Sequence, residues 1–278
     1  MTSAFMGSIP TGGVRPWVVK IGGKLVEDSA VRAALARACA ALERPLAVIH
    51  GGGAAVTRLQ QRLGLEARFV DGRRATTEAD LEVVEMVLSG NANPALVRAL
   101  GEAGLRAVGL SGCDAGLVRC TPVTELGCVG MPDDVEPSLL RMLLAGGYTP
   151  VLSPVSLGPG GEPLNVNADE LACAVAAALR AESLLLLSNV EGVQVDGEWR
   201  GDIVADEVEP LIAAGTVSGG MIPKLRAAAA AVAAGVCEVR IAGFDGGPLA
   251  QVAGTRVRAA RPESTDVPGS NGRWTHVA

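Results

Sequence analysis

Lys20 and Lys224 each stand close to a pair of glycines: Lys20 just before Gly22-Gly23, and Lys224 after Gly219-Gly220 in the string SGGMIPK. A lysine at a strand end or helix start faces solvent or turns its ammonium into the crevice where parallel sheets take ligands. Gly51-Gly52-Gly53, between an apolar run and a helical one, can aim several backbone N–H groups at one anion, with a helix dipole behind them. Asn165, Asn167 and Asp169 occupy alternate positions in LNVNAD, where one helix cap needs only one polar side chain. Arg73 and Arg74 in VDGRRAT make either a solvated turn or a carboxylate clamp. Together these residues could hold anions.

Other chemistries fail on spacing. The third glycine of a dinucleotide fingerprint is replaced by Val56, and no G-x-x-x-x-G-K-[ST] string occurs. The HGGG run could supply oxyanion donors, but G-x-S-x-G is absent: Cys113 stands where Ser111 needs a glycine, and Thr216 where Ser218 needs one. The only histidines are His50 and His276, so a mechanism built on several histidines is excluded, and His50 is read as strand-end packing or loop support. Cys39, Cys113, Cys120, Cys128, Cys173 and Cys237 match no metal spacing and are expected to be free thiols.

The elements that must position these groups follow from periodicity. Residues 17–21 and 45–50 are β-branched apolar runs, each followed by glycines and then a helical pattern, over 26–42 and 54–63. Two strand–glycine–helix units in series predict a parallel sheet. Helical material over 77–100 is interrupted near Gly90 and Pro94, a strand covers 105–110, and the glycine-rich 111–133 predicts a hairpin. A helix over 137–145, a strand over 148–155, a turn at 158–162, an apolar helix over 168–181 and a buried strand over 183–188 follow. A hairpin at 193–203, helices from about 206 and over 222–234, and a strand over 237–242 complete an α/β sandwich.

The chain has 278 residues, 49% of them hydrophobic, enough for one large domain or two lobes. Lys+Arg number 24 against 30 Asp+Glu, a net charge of −6, and aromatics are 3%, which argues against nucleic-acid coating and base stacking. No run approaches the roughly 18 apolar residues of a membrane span, and no signal peptide is visible. A soluble, cytoplasmic protein is expected. Residues 1–16 read as a flexible leader and 258–278 as a disordered tail.

The strings VVKIGGK, VIHGGGAAV, FVDGRRATTEADLEVVEMVLSGNANPALV, GLSGCDAG, LNVNADELA, LLLLSNVEGV and SGGMIPKLRAA resemble the amino-acid kinase family, in the family's order across 17–257. The resemblance implies a three-layer αβα sandwich with a mostly parallel central sheet. An N-terminal lobe, 17–181, would bind the acyl acceptor, and a C-terminal lobe, 182–257, would bind ATP. The implied activity is transfer of the γ-phosphoryl of ATP to the side-chain carboxylate of N-acetyl-L-glutamate, in arginine biosynthesis. Lys20 and Lys224 would neutralise the transferring group, and Asp169 would position both. Gly23, Gly51 and Gly52 would donate backbone hydrogen bonds, while Arg74 and Asn165 would hold the acceptor. Ser188, Asn189, Val190, Glu191, Gly192, Val193, Thr216, Val217 and Ser218 would line the nucleotide pocket. Mg²⁺ would be held by ATP oxygens and water, with no dedicated protein ligand, and the protein would form a homodimer.

An ionised carboxylate needs no general base to attack phosphorus, which fits the scarcity of histidine. Ser188-Asn189-Val190 departs from the family's usual Ser/Thr-Asp-Val, removing a negative charge near the nucleotide. Residues 1–16 are also too short and broken for the extra N-terminal helix of arginine-inhibited hexameric members. Two further readings stay open: a kinase for carrier-protein-bound aminoadipate or glutamate, and a non-catalytic arginine-sensing domain.

Overall fold

The computed structural model describes residues 14–260 apart from Asp71 and Ser218. Strand β1 (Trp17–Ile21) ends at Gly22, and the helix predicted next is split into α1 (Gly23–Glu27) and α2 (Ser29–Ala40). Asp28 causes the break: its carboxylate accepts from Ala30 N and Val31 N and caps α2. Strand β2 (Leu46–His50) and helix α3 (Gly53–Arg62) repeat the unit. A short hairpin of β3 (Arg68–Val70) and β4 (Arg73–Ala75) follows. Helix α4 (Glu78–Val87) starts with a reciprocal cap between Thr77 and Asp80. It runs through a π-helical turn, Leu88–Ala92, into α5 (Asn93–Glu102).

Strands β5 (Ala107–Ser111), β6 (Val118–Pro122) and β7 (Val129–Val135) precede α6 (Ser138–Ala145). Strands β8 (Thr149–Ser153), β9 (Val155–Leu157) and β10 (Pro163–Val166) lead into α7 (Ala168–Leu179). After β11 (Ser183–Leu187) come β12 (Val193–Val195), β13 (Glu198–Arg200) and β14 (Asp202–Val204). Helices α8 (Val208–Ala213) and α9 (Met221–Ala233), then β15 (Glu238–Ala242) and β16 (Thr255–Arg258), complete the described chain.

Eight strands form one sheet in the order β14-β16-β15-β11-β1-β2-β8-β5. The run from β15 to β5 is parallel throughout, and β16 joins it antiparallel. Alternate residues of each central strand face opposite sides. Val18, Ala47, Ile49, Leu184 and Leu186 pack with Leu171, Val175 and Leu225 of α7 and α9. Val19, Val48, Leu185 and Leu187 pack with Leu35 of α2 and Leu96 and Leu100 of α5. This is the expected three-layer αβα sandwich. A small closed ring, β10-β7-β6-β9, sits beside the main sheet.

Two expectations are corrected. LNVNAD, read as the junction of a loop and a helix, gives its first residues to β10, and Arg258, read with the tail, ends β16. Such short segments become strands only when a partner supplies the hydrogen bonds, so local pattern does not reveal them. Arg15, inside the expected flexible leader, is tied down: its guanidinium donates to the carbonyls of Arg180 and Gly235 at 2.6 and 2.8 Å. The rest of the leader and of the tail, residues 1–13 and 261–278, lies outside the described residues. Among the described residues no helix is long and apolar enough to cross a membrane, and the six cysteines are free thiols, as expected.

Candidate active site

β1 is central in the sheet, flanked by β2 and β11. Their carboxyl ends bring three turns together. The Gly22 N–H donates to the Leu187 carbonyl of β11, and the Gly51 N–H to the Ile21 carbonyl of β1. A Cβ added at Gly23 would lie 2.8 Å from both Cα and N of Gly52, so the two glycine turns meet backbone to backbone. Neither turn can retreat without breaking a sheet bond. Gly23→Ala is therefore expected to cost about 1–3 kcal/mol, the usual penalty of overpacking, read from chemical denaturation of the variant. Unchanged stability would show that the turns separate freely.

Lys20 projects from β1 beside these turns and is buried, at 8% exposure. Asp169 stands in the first turn of α7, and Lys224 in the first turn of α9. Lys20 Nζ lies 2.9 Å from Asp169 Oδ1, and Lys224 Nζ 2.5 Å from Asp169 Oδ2. One carboxylate thus holds two ammonium groups from different elements, leaving a net charge of +1. Burial lowers the Lys20 pKa, Lys224 pushes it the same way, and Asp169 opposes both. Burial alone would raise the Asp169 pKa, but the two lysines override it and hold it at about 2. Asp169 is therefore ionised at neutral pH and organises charge rather than transferring a proton.

The polar positions of LNVNAD divide the work. Asn165 Nδ2 donates to Thr76 Oγ1 at 3.0 Å, and Asn167 caps α7 by accepting from Asp169 N and Glu170 N. Asp169 takes the lysines. The arginine pair separates as well: Arg73 is paired to Glu170, while Arg74 is buried. The Arg74 guanidinium donates to Gln60 Oε1, the Gly53 carbonyl and Thr57 Oγ1, at 2.5, 2.7 and 2.8 Å, and stacks 4.6 Å from the Phe69 ring centroid. Sequence reasoning missed Thr57, Gln60 and Thr76. Thr57 and Gln60 are three apart on α3, the spacing that places side chains on one helix face.

A cleft of about 230 Å³ is lined by Lys20, Gly23, Gly51, Gly52, Arg74, Asn165 and Asp169, so the structure gathers these predicted residues in one place. One expectation needs correction. The Gly51 N–H is already paired with Ile21, so Gly51 lines the cleft without offering that donor, whereas no protein acceptor for the Gly23 or Gly52 N–H is found among the described residues.

A larger cavity, about 1110 Å³, opens between α7 and α9 and is bordered by Glu170, Cys173, Gly219 and Gly220; Arg73 borders both spaces. None of the residues 188–193, 216 and 217 lines either cavity. Val193 and Val217 are core side chains, and Thr216 Oγ1 donates to the Leu211 carbonyl. Ser188 does adjoin the site: a Cβ on Gly22 would be 3.5 Å from Ser188 Cα, and the buried Ser188 hydroxyl has no partner among the described residues. Ser218 lies outside the described residues.

A parallel sheet whose central strand carries a lysine next to its carboxyl end, with glycine turns and two helix N-termini closing on a shared ion pair, defines an α/β enzyme that handles phosphate-like anions. The sequence profile described as the amino acid kinase family matches residues 15–243, and the chain belongs to that family. An acetylglutamate kinase of Roseiflexus sp. (strain RS-1) is 48% identical over 234 residues, spanning 82% of this chain and 89% of that protein. An acetylglutamate kinase of Chloroflexus aurantiacus (strain ATCC 29366 / DSM 635 / J-10-fl) is 44% identical, spanning 82% of this chain and 92% of that protein. Among solved structures, smu.665 of Streptococcus mutans UA159 superimposes with a TM-score of 0.78 at 29% identity, covering 88% of this chain and 99% of that one. Carbamate kinase of Giardia lamblia bound to AMP-PNP reaches a TM-score of 0.68 at 13% identity, covering 88% and 99%, and shares the fold.

Proposed function

We propose that this enzyme transfers the γ-phosphoryl group of ATP to the side-chain carboxylate of N-acetyl-L-glutamate, releasing ADP and N-acetyl-L-glutamyl 5-phosphate, a step of arginine biosynthesis. The observation that carries the reading is the Lys20–Asp169–Lys224 cluster at the mouth of a cleft that also holds Arg74 and Asn165. The similarity to acetylglutamate kinases supports the choice of acceptor.

The chemistry needs charge placement more than proton transfer. A carboxylate oxygen attacks γ-phosphorus, the bond to the bridging oxygen of ADP breaks, and no proton changes hands. The barrier is the approach of one anion to another, which fixed positive charge and aimed N–H groups lower. In this reading Lys20 and Lys224 neutralise the phosphoryl oxygens, and Asp169 keeps the two ammonium groups together until the nucleotide supplies negative charge. Gly23 and Gly52 donate backbone hydrogen bonds. Arg74 and Asn165 orient the acceptor in the N-terminal lobe, with ATP over the C-terminal lobe.

Magnesium fits this site as a partner of the nucleotide. Among the described residues no three His, Cys, Asp or Glu side chains cluster as a cage, and Asp169 is occupied by lysines. ATP oxygens and water would hold the ion, which would add positive charge to the triphosphate. A homodimer is part of the same reading, and light scattering measures it.

The test is ADP release by purified protein with ATP, Mg²⁺ and free N-acetyl-L-glutamate. Turnover that saturates in the free acceptor is expected. Turnover only with a carrier-protein-bound aminoadipate or glutamate would replace the acceptor assignment, and arginine binding without turnover would replace the catalytic one.

A further inference from the structure

His50 is the last residue of β2 and is fully buried, on the strand face that packs against α5. Asn93, at the start of α5, reaches it across that layer. The π-helical turn sets this reach: the Asn93 N–H bonds the Leu88 carbonyl, five residues back, and Pro94 follows where an ordinary helix would need an N–H. Asn93 Nδ2 donates to the Val151 carbonyl at 2.9 Å and approaches His50 Nε2 at 3.2 Å. The Leu110 carbonyl also faces Nδ2, at 3.4 Å, so this atom is the NH₂ end of the amide; it cannot accept, and His50 Nε2 must be the acceptor in their contact. The imidazole proton then sits on Nδ1, which lies 3.0 Å from the Gly51 carbonyl and donates to it.

We propose that His50, fixed by Asn93, is a positioning residue that locks the Gly51–Gly52 peptide so that the Gly52 N–H faces the phosphoryl group. The proposal rests on the phosphoryl-transfer reading above. A trans peptide points its C=O and N–H in opposite directions. Holding the Gly51 carbonyl toward the sheet therefore turns the Gly52 N–H outward, to the cleft it shares with Lys20 and Gly23. A peptide between two glycines has the least steric resistance to flipping, so an external tether matters there more than elsewhere. The Gly51 N–H is already held by the Ile21 carbonyl, and His50 secures the other side of the same residue. Burial lowers the His50 pKa to about 4, which keeps the ring in this neutral, singly protonated form at neutral pH.

Two substitutions separate the tether from mere packing. His50→Asn keeps an N–H near the Nδ1 position, whereas His50→Gln places its amide toward Asn93 and leaves the Gly51 carbonyl without a donor. His50→Gln is expected to lower kcat about tenfold or more while KM for ATP and acceptor moves less than about threefold, with His50→Asn retaining most of the parental kcat. Equal kcat in the two variants would overturn the proposal. Crystal structures of both give a readout independent of turnover: the Gly51–Gly52 plane should rotate in His50→Gln alone, and an unrotated plane there overturns the proposal even if the parent proves inactive. Parental inactivity toward N-acetyl-L-glutamate and carrier-bound acceptors would instead sink the functional reading. Should His50→Gln not fold, Asn93→Ala releases the ring, and an unchanged kcat and peptide plane in that variant would equally overturn the tether.

Discussion

Lys224→Ala is expected to lower kcat by about 10²–10³-fold, the scale seen when one preorganised stabiliser of developing charge is removed. The KM for the acceptor should stay within about threefold, because Lys224 is absent from the lining of the cleft that holds Arg74 and Asn165. The helix itself should survive, since alanine has the highest helix propensity and Lys20 remains paired with Asp169. Lys224→Arg should not restore full activity, because a planar fork cannot occupy the place of a compact ammonium 2.5 Å from Asp169 Oδ2. Steady-state kinetics on the two variants provide the measurement. A Lys224→Ala enzyme within about twofold of its parent would remove Lys224 from the chemistry and shift the neutralising role elsewhere.

Asp169→Asn is expected to cost about 10²-fold in kcat near pH 8, by a different route. Without the carboxylate, the ammonium groups of buried Lys20 and half-buried Lys224 face each other with no counter-charge. Burial and Lys224 already lower the Lys20 pKa, and Asp169 is its principal opposing influence, so the variant's Lys20 should titrate lower still. The sign follows: the useful form of Lys20 is protonated, so activity of the variant falls as pH rises through the depressed pKa and recovers as pH is lowered. Parent and variant kcat profiles, measured across the pH range in which both stay folded, should therefore converge on the acid side, where the lysine regains its proton. A deficit that stays constant across that range would mean that Asp169 acts by geometry alone, and a loss under about twofold would remove it from the site.

Much of this arrangement was readable before any coordinates. The six parallel strands at the sheet centre are covered by helices on both faces, so they appear as short continuous apolar runs, with glycine turns after β1 and β2. Lys20, Lys224 and Asp169 stood out as charges placed beside glycines or a helix start. The β3–β4 hairpin, β9, β10 and β14 did not, being only three or four residues long and stabilised by distant partners. Val193, in the string LLLLSNVEGV, and Val217 both have side chains packed in the core.

By itself the sequence determined the layer order and the parallel sheet, because periodicity and residue type act locally; its strings carried the resemblance to the family, and its two histidines excluded a mechanism built on several. Only the tertiary structure decided which of several open choices each polar side chain took. Lys20 faced either solvent or crevice, Arg73 and Arg74 made either a turn or a clamp with Arg74 singled out only by the family resemblance, and Asn167 and Asp169 were both candidates for one cap. Burial resolved all three, since a charge or donor removed from water must find a partner, and the available partners come from elements far apart in the chain. Asp169 found two lysines, Arg74 found α3, and His50 found Asn93 across the α5 layer. Those pairings depend on three-dimensional distance, which no local pattern of residues encodes.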